Sequence, residues 1–183
     1  MEVDILISLL EKGELNPCEV VLDSLEEGVL FQCHPLGFLA ATIARDGDRS
    51  VRVHIWPAER GHRQEPYFGV HSHAFHLSSW ILVGEVENVE YELVKDGCDR
   101  KLYGVEYDDR GSVMLSLNRT VGINCVGRKR YKSGEGYAMN SGAFHESIVG
   151  KCKSALTFVL ATIDERGCPL VVGPLSGEER YEY

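Results

Sequence analysis

Short segments with strand-like alternation, separated by glycine and aspartate turns, run through most of this chain. In residues 50–56, apolar side chains at 51, 53 and 55 alternate with Arg52, His54 and Trp56. A period of two is typical of a strand, because successive side chains point to opposite faces. Further strands are predicted at residues 39–45, 70–83, 89–93, 101–107, 113–118, 136–139, 145–149, 155–163 and 170–172. Many short strands at such intervals indicate an all-β sandwich or barrel.

One or two short helices are predicted ahead of the strands. The first has an apolar face at helical spacing, made of Val3, Ile5, Leu6, Leu9 and Leu10. A second is predicted to begin at Asn16-Pro17, since asparagine is a good N-cap and proline is favoured at the first helical position. The 183 residues suit a single domain, with a helical extension over about 1–28 and a barrel over about 29–175.

Composition excludes several classes of partner. The formal charge of −9 argues against nucleic-acid binding, which needs a basic surface. No apolar stretch approaches the ~20 residues that span a bilayer, and the N-terminus lacks a basic leader, so a cytoplasmic protein without a membrane partner is expected. The six cysteines include no C-x-x-C pair, which argues against a cysteine zinc cluster.

Three of the seven histidines lie close together at His71, His73 and His76. In a strand, His71 and His73 present their imidazoles to the same side. Two imidazoles on a rigid strand make half of a typical transition-metal site. His76 faces the opposite way in a regular strand unless a bulge brings it back. It is a candidate fourth ligand, a partner of a ligand, or an ordinary polar residue.

The histidines and the glycines near them resemble the two motifs of the cupin superfamily. The first motif matches His71, His73 and, eleven residues later, Gly84. The second has Asn140 in place of the motif's proline and otherwise matches Gly134, Gly142 and His145. The resemblance implies a cupin double-stranded β-helix, a jelly-roll barrel, in which His145 joins His71 and His73 around one divalent transition metal, zinc or iron(II).

The glutamate of the first cupin motif falls on Leu77 or Ser78, so the resemblance implies a three-histidine site without an acidic ligand. Such a site is similar to that of the thiol dioxygenases, iron(II) cupins that oxidise a small thiol with O₂. The run of Tyr137, Ser141 and His145 also resembles theirs.

Two features of the thiol dioxygenases are absent. Leu39 stands where their substrate-anchoring arginine is expected, and residues 157–161 lack their Ser-His-Tyr relay. A second resemblance rests on Trp56-Pro57, the two histidines of the first motif and residues 79–84. This run is similar to zinc cupins of biosynthetic pathways, some of which form an N–N bond from an N-hydroxylated diamine esterified to an amino acid.

Three further side chains are candidates for catalysis. Arg52 and His54 share one strand face, and if that face lines the barrel they are expected to bind a substrate carboxylate or to transfer protons. If it faces solvent, they are ordinary surface residues. Under the cupin resemblance, Tyr137 projects near the metal, where it either donates to a bound oxygen or fills the barrel floor.

The resulting expectation is a metal-dependent cupin enzyme that acts on a small polar, amino-acid-like molecule. With iron(II), open coordination positions suit O₂ chemistry, and with zinc they suit Lewis-acid or rearrangement chemistry. The alternatives are a zinc cupin that forms N–N bonds, a thiol-dioxygenase-like oxygenase and a non-catalytic cupin that binds a small molecule. The resemblance also implies a homodimer, because many cupins pair through edge strands.

Overall fold

The computed structural model describes residues 1–59, 64–94, 97–108, 111–164 and 168–183. Within them lie two helices, α1 (Val3–Lys12) and α2 (Pro17–Glu26). The strands are β1 (Gln32–Cys33), β2 (Leu39–Asp46), β3 (Arg49–Trp56), β4 (Phe75–Val83), β5 (Glu85–Val94), β6 (Arg100–Asp108), β7 (Gly111–Lys132), β8 (Gly136–Met139), β9 (Phe144–Ile148), β10 (Ala155–Ile163), β11 (Leu170–Pro174) and β12 (Arg180–Glu182). The prediction of an all-β fold with two short N-terminal helices is confirmed.

The strands form two antiparallel sheets. The first has the order β1-β2-β3-β10-β4-β8, and the second has the order β11-β6-β7-β5-β9, with β12 added to β7. Strands distant in sequence are neighbours, since β10 lies between β3 and β4 and β9 pairs with β5. This alternation of the chain between two sheets is the topology of a jelly roll.

An apolar cluster between the two sheets shows that they face each other. Trp56 and Ile81 of the first sheet pack in it with Val86 and Tyr131 of the second. Ile81 and Val86 are almost completely buried. The barrel interior is therefore enclosed by β3, β4 and β10 on one side and by β5, β7 and β9 on the other.

The helices cover the outer face of the first sheet. Leu6 and Leu10 of α1 pack there against Val51 and Val53 of β3. Because side chains alternate along β3, the residues between these valines point into the barrel. The local conformation of α2 is fixed by Asn16, whose side chain accepts hydrogen bonds from the first backbone N–H groups of the helix. Neither helix is long and apolar enough to span a membrane.

The glycine of the first histidine motif is required by the backbone. Gly84 lies between β4 and β5 with φ +76°, in the left-handed region that favours glycine. A Cβ atom placed there would overlap the carbonyl oxygen of Ser154. The turn that joins β4 to β5 therefore accepts only glycine without a shift of the neighbouring backbone.

Several predicted strand boundaries differ from the structure, three of them in ways that matter for the fold. The segment predicted at 70–83 is a regular strand only over Phe75–Val83, while His71 forms isolated bridges to His145 and Val171. The strand predicted at 113–118 is the start of β7, which has 22 residues. The sheet also continues past the predicted end of the barrel at 175, because β12 pairs with β7.

Candidate metal centre

The backbone ties the three motif histidines together. The N–H of His71 donates to the carbonyl of His145 at 2.9 Å, and the N–H of His145 donates back at 2.8 Å. The N–H of Gly142 donates to the carbonyl of His73 at 2.9 Å. The segment between 71 and 73 is therefore held against β9 and the turn before it, although it is not a regular strand.

The three imidazoles converge on one point. One ring nitrogen each from His71, His73 and His145 lies within 4.8 Å of the others. The Nε2 atoms of His73 and His145 are 3.0 Å apart. Two ligands bound to one metal at about 2.0–2.1 Å are separated by roughly 2.9–3.4 Å for angles between 90° and tetrahedral. The His73 and His145 nitrogens thus have the separation of two ligands on one metal, and His71 lies beside them within 4.8 Å.

Two of the three rings are oriented from behind by hydrogen bonds. The Nδ1 of His71 lies 2.8 Å from the carbonyl oxygen of Gly69, and the Nδ1 of His145 lies 2.7 Å from Oδ1 of Asn88. Since both oxygens accept, each Nδ1 carries the proton and each Nε2 keeps its lone pair. Metal-binding histidines in proteins are usually held in this way. Asn88 is 2% exposed, so its amide is part of the buried structure.

Burial keeps these histidines neutral. Loss of solvent lowers the pKa of His71, and it lowers the pKa values of His73 and His145 well below the ordinary 6.5. Neighbouring histidines lower the last two further, because each disfavours a second positive charge nearby. Neutral imidazole is the form that binds a metal ion, so the cluster is in its ligating form at neutral pH.

A cavity of about 580 Å³ opens on the histidines. His71 and His73 line it together with His34 and Arg52. Apolar side chains cover another part of its wall: Phe68, Phe75, Val105, Met114 and Val171. Acidic side chains are absent from its lining in the part of the chain that the structure describes. A cavity of this size accommodates a small organic molecule beside the three imidazoles.

Arg52 and His54 lie on the inner face of β3. Arg52 lines the cavity, and its Cζ lies 5.6 Å from the centroid of Phe75, which stacks on His73. His54 packs against Phe38 with ring centroids 4.8 Å apart. Loss of solvent lowers the pKa of His54 to about 3, with His34 and Arg52 adding to the effect. The sequence left open whether Arg52 and His54 face solvent or the barrel interior, and in the structure both face the interior.

Tyr137 and His76 make their contacts with residues other than the three clustered histidines. Tyr137 packs on the aromatic cluster between the sheets, and its hydroxyl is 3.2 Å from the Oγ of Ser147. His76 is exposed, and its Nδ1 accepts a hydrogen bond from the N–H of Ser141. Its Nε2 lies 4.0 Å from a carboxylate oxygen of Asp164. Neither side chain contributes a ligand atom to the trio of histidines.

Sequence reasoning assigned no role to His34, which the structure places in the cavity wall. Its Nδ1 accepts a hydrogen bond from the N–H of Leu36 at 3.2 Å, so its Nε2 carries the proton. Burial, with His71 and Arg52 nearby, lowers the pKa of His34 to about 3. Only the fold brings this loop residue near His71, and no motif in the sequence marks it.

Of the comparisons with known proteins, only the one with solved structures gives matches. No protein-family model matches the sequence, and a search of curated proteins gives no match. The chain is similar to the DMSP lyase DddQ from Ruegeria pomeroyi DSS-3 (15% identity, TM-score 0.47), covering 83% of this chain and 64% of that one. It thus spans less than two thirds of the lyase chain.

Two other solved structures are similar to a comparable degree. One is an uncharacterized protein with a double-stranded β-helix domain from Klebsiella pneumoniae subsp. pneumoniae MGH 78578 (12% identity, TM-score 0.42, 82% of this chain and 94% of that one). The other is the hydroquinone 1,2-dioxygenase from Sphingomonas sp. TTNP3 (12% identity, TM-score 0.39, 66% of this chain and 63% of that one).

The chain's own strand order and histidine geometry identify its architecture. Two facing antiparallel sheets enclose the cluster, whose three histidines come from a segment before β4 and from β9. These are the positions that the two cupin motifs predicted. The chain thus has the double-stranded β-helix fold that its resemblance to the cupin motifs implied, with a three-histidine cluster in its barrel.

Proposed function

We propose that this protein is a metal-dependent enzyme that acts on a small molecule at the His71, His73 and His145 centre. The observation that carries the proposal is the convergence of three neutral imidazoles, two of which, His71 and His73, line a cavity of about 580 Å³. A purely structural metal site is usually closed by four protein ligands, whereas a catalytic site keeps a position open for water or substrate.

The donor set suits zinc or iron(II). Imidazole nitrogen binds both ions, and the cluster lacks the thiolates that would favour zinc alone. A bound zinc ion would supply Lewis-acid chemistry, and a bound iron(II) ion would supply redox chemistry with O₂. The protein's contribution is to hold the three rings and to present the cavity to the substrate.

One observation bears on the choice between these chemistries. The inner face of β10 carries Ala155, Thr157, Val159 and Ala161, while its other face packs toward the helices. A Ser-His-Tyr relay is therefore absent from the strand where thiol dioxygenases are expected to carry it. This favours a reaction other than thiol dioxygenation. Rearrangement at zinc, as in the cupins that form N–N bonds, is the second candidate.

Three side chains have proposed roles beyond the metal. Arg52 binds an anionic group of the substrate, since it is a cation in the cavity wall. His54, buried and neutral on the same face but outside the cavity lining, takes part in proton transfer only through the side chains that contact substrate. Tyr137 acts on His145 from a distance by holding Ser147, two residues further along β9. Its effect on turnover is therefore expected to be smaller than that of Arg52.

The test is elemental analysis of anaerobically purified protein, with His71→Ala and His145→Ala as the site variants. We expect close to one metal ion per wild-type chain and loss of the ion in both variants. His76→Ala is the matched control, because His76 is exposed and outside the cluster. Full metal occupancy in the two site variants, or an empty wild type after reconstitution, contradicts the proposal.

The identity of the bound ion then selects the activity assay. Near-stoichiometric iron calls for oxygen uptake measured with thiols and other small substrates. Near-stoichiometric zinc calls for a search for redox-neutral turnover. A metal-loaded protein that binds small molecules without turning them over would be a binding protein and would contradict the enzyme proposal.

A further inference from the structure

The cavity beside the three histidines has two chemically different walls. One wall carries the positive charge of Arg52 and the imidazole of His34. The other is apolar and includes Phe68, Met114 and Val171. A ligand that satisfies both walls has a polar end and an apolar body.

No carboxylate pairs with Arg52 among the side chains that the structure describes, which leave out residues 60–63, 95–96, 108–110 and 165–167. Other arginines of the sheets are paired, such as Arg49 with Asp4 and Arg128 with Glu87. A half-buried guanidinium without a counterion has lost part of its hydration, and an anion restores that interaction. Its planar donor group matches a carboxylate, which it can bind through two parallel hydrogen bonds.

The position of Arg52 is fixed by aromatic packing. Its guanidinium lies over the ring of Phe75, and the same ring stacks on His73 with centroids 4.5 Å apart. One aromatic ring therefore separates the guanidinium from a metal ligand. An anion held by Arg52 has the rest of its molecule within reach of the three-histidine centre.

His34 adds a neutral donor to the same wall. Its Nδ1 is occupied by the N–H of Leu36, so the proton is on Nε2. A donor of this kind suits an acceptor oxygen on the ligand. The described lining of the cavity contains no acidic side chain that would repel an anion.

We infer that the cavity selects a small monocarboxylate with an apolar body, its carboxylate bound by Arg52 and its body against the apolar wall. The inference rests on the proposed function only in placing this ligand beside the metal centre. It assigns Arg52 as the residue that determines specificity for an anion.

The experiment compares two probes of equal shape, 3-phenylpropanoate and its neutral amide, by calorimetry at near-physiological salt. Both are titrated into zinc-loaded protein and into protein stripped with a chelator. We expect the carboxylate to bind both forms about tenfold to a hundredfold more tightly than the amide, as for a hydrogen-bonded charge pair. Arg52→Gln removes this preference, and Arg52→Lys keeps part of it because the charge remains. Arg119→Gln, at an exposed arginine of β7, is the control and keeps all of it.

Each remaining outcome has a defined meaning. Equal affinities for acid and amide, or no binding of either at millimolar concentration, overturn the inference. A carboxylate preference that survives in Arg52→Gln also overturns it. If the stripped protein prefers the carboxylate but the protein binds no metal, the proposed function is wrong and the anion site is supported. If the protein binds metal but shows no carboxylate preference, the proposed metal centre is supported and the anion site is wrong.

Discussion

Replacing Asn88 by alanine is expected to weaken metal binding without touching a ligand. Asn88 Oδ1 is the acceptor for Nδ1 of His145 at 2.7 Å. In Asn88→Ala that Nδ1–H loses its partner in a buried site. The ring can then move its proton to Nε2, where it donates to the neighbouring Nε2 of His73, 3.0 Å away. That tautomer has no lone pair toward the metal position and does not bind an ion.

The size of the effect follows from the same contact. Loss of a partner that orients a metal-bound histidine typically costs tenfold to a hundredfold in affinity, or about 1.4–2.8 kcal/mol. An unsatisfied buried donor costs about 1–3 kcal/mol, which is the same range. Asn88 also lies near Glu90 and Met139, but these contacts are long, at 3.4 and 3.7 Å, and add little.

The assay is competitive titration of zinc against a chromophoric chelator, with urea unfolding of the metal-free protein to confirm the fold. Asn124→Ala is the matched control, because Asn124 is exposed on β7. A zinc affinity of Asn88→Ala within twofold of the wild type would refute the reasoning. So would an equal loss of affinity in the control.

Three further predictions concern the whole molecule. Burial lowers the pKa values of His34 and His54 from 6.5 to about 3, so the unfolded chain takes up protons below about pH 6.5 and the folded chain does not. The free energy of unfolding of the metal-free protein, measured by urea titration, should therefore fall by about 2 kcal/mol for each of these two histidines between pH 7 and pH 5. His54→Gln should make the free energy of unfolding depend less on pH. Equal pH dependence in the variant and the wild type would contradict this. Leu6→Ala, at a fully buried contact between α1 and β3, should cost about 2–5 kcal/mol in the same assay, whereas the exposed Leu22→Ala should cost under about 1 kcal/mol. The homodimer implied by the cupin resemblance stays a prediction, and light scattering should give twice the chain mass of 20.4 kDa; a monomeric mass would contradict it.

Strands were predictable where their two faces differ in polarity. The clean alternation of residues 50–56 arises because Val51 and Val53 meet the helices while Arg52 and His54 point inward. The far part of β7 lacks this contrast, since most of its side chains between 117 and 130 are exposed. Two of its basic residues pair with Glu87 across the strand instead. Periodicity reports differences in burial, so a strand exposed on both faces gives no such signal.

The histidine cluster was predictable from spacing, but the partners of its rings were not. His71, His73 and His145 follow the two cupin motifs, whose spacing reflects the turns between β4 and β5 and before β9. The sequence indicates the burial of Asn88 only weakly, because it is a polar residue on the same strand face as the apolar Val86, which is buried. His34 gives none, since its place in the cavity depends on how the loop before β2 folds over the barrel.

The arrangement of β3 explains how a small barrel can have a polar interior. Its outer face carries valines that pack against α1, so the helix supplies apolar burial that the interior does not provide. Its inner face is then free to hold Arg52 and His54, which a barrel stabilised only from within could not bury without partners. The aromatic cluster around Trp56 closes one end of the interior, and the histidine centre lies toward the open cavity. Apolar packing outside the barrel and at its floor thus stabilises an interior that holds polar and charged side chains.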